Sequence, residues 1–169
     1  MFTPAAIANK FLEFARDEGR LLTNMHLQKL AFIAHGWNLA LFRKPLIREE
    51  AKVWKFGPVY PELYNALSKY GSGAVTDLVH QNDDNVFFEV PRGPVVRAQI
   101  TPQQEKLLKA VWDSFKTFSG IELSAMTHMD DSPWSIAKKQ YGLNSSIPDD
   151  LSRSYYETLL KAESSSEGQ

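Results

Sequence analysis

The sequence predicts a mainly α fold: a single compact helical domain around a buried central helix, with a small β-hairpin and a short extended segment. Three observations carry this. Apolar residues recur at helical spacing through most of the chain. Helix starts are marked by Thr-Pro, Ser-Pro and Ser/Thr-x-x-Glu/Gln patterns. One segment, "LAFIAHGWNLALF", is apolar on almost every face, as a helix at the centre of a fold must be.

The elements follow in order. Thr3-Pro4 caps a first helix whose stripe of Ile7, Phe11 and Phe14 ends near Gly19. A second runs from about Asn24 to Phe42 behind Thr23 or Asn24, and Gly36 lets another element approach it closely. After the loop "KPLIREE", Ala51 to Phe56 reads as an extended segment with Trp54 and Phe56 on one face. Pro58 forces Gly57 out of helical geometry into a turn, and a helix follows from Pro61 to about Tyr70, stopped by Gly71. "VFFEV" and "VVRAQI" flank "PRGP" as the two strands of the hairpin. Thr101 to Gln104 and Ser119 to Glu122 are capping boxes opening helices to about Phe118 and Met129. Ser132-Pro133-Trp134 starts another, and Leu151, Tyr155 and Leu159 mark a last one. Residues 1–160 thus read as one domain, and 161–169 as a frayed tail.

A chain of 169 residues can bury a real core, since a domain near this size hides roughly 70% of its unfolded surface. With 43% hydrophobic and 23% charged residues it is ordinary for a folded protein. Net charge is −1, which argues against a nucleic-acid partner. Without cysteine there is no disulfide, thiolate nucleophile or thiolate metal site. Lys10, Glu13, Arg16 and Asp17 break up any N-terminal signal peptide. The apolar run Leu30 to Phe42 is thirteen residues, against about twenty for a membrane span. A cytoplasmic location without membrane contact is expected.

Chemistry is sparse. His26 and His35 lie nine residues apart on one helix, about 180° around it, and cannot share a metal. His35 with Asn38 reads as a satisfied polar pair in the core. The cluster "THMDDSPW" offers His128, Asp130 and Asp131 to a metal or an acid/base pair. Caps and a proline explain the same residues without chemistry. No metal, cofactor or catalytic residue is therefore assigned, and the chain is not read as an enzyme. A metal-dependent enzyme built on His128 and a DNA-binding regulator remain as readings of another class.

The aromatic corner "AKVWKFGPVYPELYNAL" holds four aromatics, two prolines and a glycine in seventeen residues. Gly57, Pro58 and Pro61 set the direction of the chain there. Leu63, Ala66 and Leu67 belong to the core, joined by one of Trp54 and Phe56. Lys55, Tyr60 and Tyr64 are then the exposed part of a stiff corner that presents a surface.

Two segments, "LQKLAFIAHGWNLALFRKPLIREEAKVWKFGPVYPELYNALSKYG" (27–71) and "LSAMTHMDDSPW" (123–134), resemble the Panacea antitoxin domain family of SocA-like and phage-associated GepA-like antitoxins. The resemblance rests on Leu27-Gln28-Lys29-Leu30, Gly36-Trp37, Lys44-Pro45-Leu46 and Trp54-x-x-Gly57-Pro58-Val59. Pro61, Tyr64, Thr127-His128 and Pro133-Trp134 continue the order. Two places depart from it: Arg43 stands where the family often has glycine, and Met129-Asp130-Asp131 replaces a glycine-containing turn. The resemblance implies a bacterial or prophage antitoxin that neutralises a toxin encoded beside it by direct contact. The SocA branch adds a second role, an adaptor that presents the toxin to a cytosolic protease. It also implies that the extra DNA-binding domain of some relatives is missing here. Trp54, Lys55, Phe56, Tyr60, Tyr64 and His128 become the candidate partner-binding residues, with Gly36, Trp37, Gly57, Pro58, Pro61, Pro133 and Trp134 as the structural motif.

Overall fold

In the computed structural model, which describes residues 1–83 and 92–166, the most apolar stretch of the chain is the helix against which the others pack. This helix, α2 (Asn24–Phe42), follows α1 (Pro4–Asp17) and is buried along nearly its whole length. Thr23 caps it, its side chain accepting from the His26 N–H while His26 Nδ1 accepts from Thr23 N at 3.1 Å. Histidine thus fills the place that glutamate takes in the usual capping box. α2 touches α1, α3 (Pro61–Leu67), α4 (Pro102–Phe115), α5 (Gly120–Thr127) and α7 (Asp149–Ser166), while α6 (Pro133–Tyr141) reaches the core through α5 and α7. The capping boxes at Thr101 and Ser119 are both formed, and Ser132 caps α6.

The mainly helical class with a small hairpin is what the structure shows, but the hairpin sits elsewhere. Lys52–Trp54 (β1) pairs antiparallel with Gly57–Val59 (β2), Val53 opposite Pro58, so the expected extended segment folds back on itself. Of the expected strands, Val86–Val90 lies outside the described residues. Val95–Ile100 is no strand, and only Val95 bridges, to His80. A buried Asn9 on α1 takes over the role of a strand partner there: it accepts from Val79 N and donates to the carbonyls of Val79 and Val96. The other edge of β1 is covered by the α6–α7 connection, through Val53 N to Ser145 O at 2.9 Å and Asn144 N to Val53 O at 2.7 Å.

Close approach explains two glycines. A Cβ on Gly36 would overlap the Tyr156 ring of α7, so this glycine lets α7 lie directly on α2. Gly57 has φ +108°, and a Cβ there would meet Thr127 Oγ1 at 2.7 Å and Lys29 Cε at 2.8 Å. α3 runs on into a single 3-10 turn, Ser68–Tyr70, ended by Gly71 at φ +55°. Helix α7 continues to Ser166, and its last six residues are exposed. Among the described residues, no helix is long and apolar enough to cross a membrane.

Candidate partner-docking groove

The hairpin tip is held from two sides. From α2, Gln28 Oε1 accepts from Tyr60 N at 2.8 Å, and Lys29 Nζ donates to Pro58 O at 3.0 Å. From the α5–α6 corner, Trp134 Nε1 donates to Trp54 O at 3.0 Å and Ser124 Oγ to Phe56 O at 2.8 Å. His128 lies between them, Nδ1 2.6 Å from Ser124 O and Nε2 3.2 Å from Lys55 O, its ring tilted 53° against Trp134 with centroids 4.0 Å apart. Three consecutive carbonyls of the tip thus face side chains of one distant segment. The Leu-Gln-Lys-Leu, Gly-Pro-Val and Thr-His…Pro-Trp fragments are separate in sequence and form one contact system in space.

So braced, the tip carries Phe56 into solvent at 60% exposure, with Lys55 Nζ 5.3 Å from its ring centre. Beside it Trp54 packs edge-on against Tyr64, centroids 4.9 Å apart. These residues form one wall of an open groove of about 820 Å³. The opposite wall is the first turn of α2, Thr23 to Met25, and the first turn of α5, Ser119 to Ile121, with Ile121 78% exposed. Leu143 and Asn144 line the groove as well, and its surface is chiefly apolar. A cleft of this size and character is a normal place for a ligand or partner segment to be held.

Lys29 also lines the groove although only 1% of it is exposed. No ion pair to it exists among the described residues. Burial without a counter-charge pushes its ammonium down to about 7.

The candidates of the sequence fall in different places. Trp54, Lys55, Phe56 and Tyr64 come together on the groove. Tyr60 does not: it is 1% exposed in the core, because the extended backbone at Tyr60 turns its side chain inward behind β2. Neither Trp54 nor Phe56 joins the core, since Ala51 and Val53 take the inward face of β1. His128 is half-buried and touches the tip from behind. Asp130 and Asp131 are exposed on the next turn. His35 is satisfied by Ile47 N at 3.1 Å and Asp149 at 2.9 Å, whereas Asn38 donates to Lys44 O at 2.6 Å and leaves its buried Oδ1 without a partner among the described residues, so the expected satisfied pair does not form. Sequence reasoning missed Met25, Lys29, Ile121 and Leu143. Ile121, an apolar residue next to the glycine that opens α5, was the one readable signal.

Residues 27–135 match the family described as "Antitoxin SocA-like, Panacea domain". Antitoxin SocA of Caulobacter vibrioides (strain NA1000 / CB15N) is 28% identical over 139 residues, covering 82% of this chain and 72% of that protein. No solved structure matches. The chain belongs to the SocA-like Panacea antitoxin family, and the two segments that carry the likeness are those that build the hairpin clamp.

Proposed function

We propose that this protein neutralises a cognate toxin by direct contact, with the groove between the hairpin tip, α2 and α5 as the toxin-facing surface. One observation carries the choice of surface: large apolar side chains, Phe56, Tyr64, Ile121 and Leu143, stand exposed around one concave site. Clustered exposed apolar area of this kind marks interaction sites, and aromatic anchors dominate binding energy at interfaces. His128 and Trp134 serve it indirectly, by fixing the tip that presents Lys55 and Phe56. Membership of an antitoxin family supports a role in binding rather than catalysis.

The test is co-expression with the protein encoded beside this one. Wild type restores growth; a Phe56→Asp, Ile121→Asp double variant that melts at the wild-type temperature does not. Full rescue by that variant removes the groove from the reading. A neighbour that is harmless alone removes the antitoxin role itself. Toxin half-life in the rescued cells separates sequestration, where it is unchanged, from delivery to a protease, where it falls.

A further inference from the structure

Resting on that docking reading, we infer that the groove receives a partner segment carrying a glutamate or aspartate side chain between apolar residues, the carboxylate pairing with the recessed Lys29 amine. The apolar neighbours of the acid would cover Phe56 and Ile121.

The argument is one of charge complementarity on a built site. Lys29 is 1% exposed yet lines the groove, and among the described residues one acceptor, Pro58 O at 3.0 Å, meets a group with three donors. Among the described residues, the charged ones lining the groove are Lys29 and Lys55, and neither Asp nor Glu lines it. The nearest acid on α5, Glu122, is spent on its own helix, accepting from Ser119 N at 2.7 Å. α2 and α5 both turn their N-terminal ends toward the same space, which favours negative charge there. The Lys29 side chain is already buried and held by Pro58 O in the free protein, so an arriving carboxylate finds its partner desolvated and in place.

The rim decides what brings the carboxylate. A small free acid would pair with Lys29 and leave Phe56 and Ile121 in water. A polyanion such as nucleic acid would find two lysines on an apolar rim, too little charge to hold a phosphate backbone. A protein segment satisfies both parts. Because Lys29 is recessed while the rim is exposed, the acid reaches it as a side chain from a backbone crossing the rim.

A display library of random peptides, selected on the full chain, tests this. Enriched sequences should hold Asp or Glu flanked by apolar residues, and an amidated winner should lose about tenfold or more in affinity when its acid is changed to the amide. Lys29→Met should bind acid and amide forms equally while melting close to wild type, since removing the desolvated amine is offset by leaving Pro58 O without its donor. Lys29→Gln serves if that variant fails to fold. No enrichment, enrichment without acids, or an acid preference that survives both substitutions overturns the inference. Winners whose binding disappears on C-terminal amidation overturn the side-chain assignment. If Phe56→Asp, Ile121→Asp abolishes neutralisation and Lys29→Met leaves it intact, this inference falls and the docking surface stands. If both leave it intact, the docking surface falls too.

Discussion

Arg43 ends α2 in the left-handed region, φ +56°, and Asp131 sits at φ +65° in the turn before α6. Both put an L side chain where glycine is unstrained. Asp tolerates this conformation through local hydrogen bonding, and Arg has no such relief. Its compensation is an ion pair with Glu157 at 3.1 Å, modest because the Arg43 side chain is 70% exposed although the Glu157 oxygen it meets is buried. Arg43→Gly should therefore raise stability by about 0.5–1 kcal/mol despite the extra freedom glycine has when unfolded. Urea denaturation of the two forms measures it, and a loss of stability would mean that the ion pair outweighs the strain. Tyr60 gives the opposite kind of case. Its hydroxyl is buried without a hydrogen-bond partner among the described residues, so the ring contributes packing and the oxygen only a desolvation cost. Tyr60→Phe should be neutral or stabilising by up to about 1 kcal/mol, whereas a hydroxyl that served a toxin on the surface would show as lost neutralisation.

Among the elements, α2 decides the architecture and α7 depends on it most. Tyr156 lies over Gly36 and meets Trp37 edge-on at 5.1 Å between centroids. Gly36→Ala would gain helix propensity of about 0.8–1 kcal/mol but force the Tyr156 ring out of its place, at a cost typical of overpacking, about 1–3 kcal/mol. Net destabilisation with a lower Tm is expected, and Tyr156→Ala in the same chain should reduce the penalty, which a thermal double-mutant cycle reads directly. This glycine was legible in the sequence because an all-apolar helix has one reason to keep a residue without a side chain. The hairpin was not. Alternation put Trp54 and Phe56 on one face correctly, but that face is the groove, and only tertiary contact with the α6–α7 connection sends Val53 inward. Nor could spacing reveal Lys29. A lysine in an apolar helix reads as one that extends its charge to water, and its confinement follows from its bond to Pro58 O and from the hairpin backbone at Gly57 lying against its Cε. The clamp of Trp134, Ser124 and His128 on the tip joins residues 68 to 80 positions apart, a separation at which a single sequence carries order but no geometry.

For the whole molecule, buried titratable groups make stability depend on pH in a definite shape. Desolvation raises Glu49 from 4.5 to about 7. Between those values the folded state holds a proton that the unfolded chain has released, so stability falls as pH rises toward 7. Desolvation lowers Lys29 from 10.5 to about 7. Above 7 the unfolded chain holds the proton that the folded state has lost, so stability rises with pH up to the unfolded value. Near pH 10 burial of Tyr60 and Tyr156 opposes further gain, because their phenols ionise in the unfolded chain first. At the acid end Glu18, held at about 2 first by the Trp112 indole N–H and then by Lys116, gives up its contribution as pH falls from 4.5. The expected profile has a dip near neutrality with a rising limb toward pH 9. Lys29→Met should flatten that limb and Glu49→Gln the descending one on its acid side, each without changing the other. Denaturant midpoints across pH for the three proteins measure both slopes. A limb that persists in Lys29→Met would show that another group produces it and that burial does not discharge the Lys29 amine in the fold.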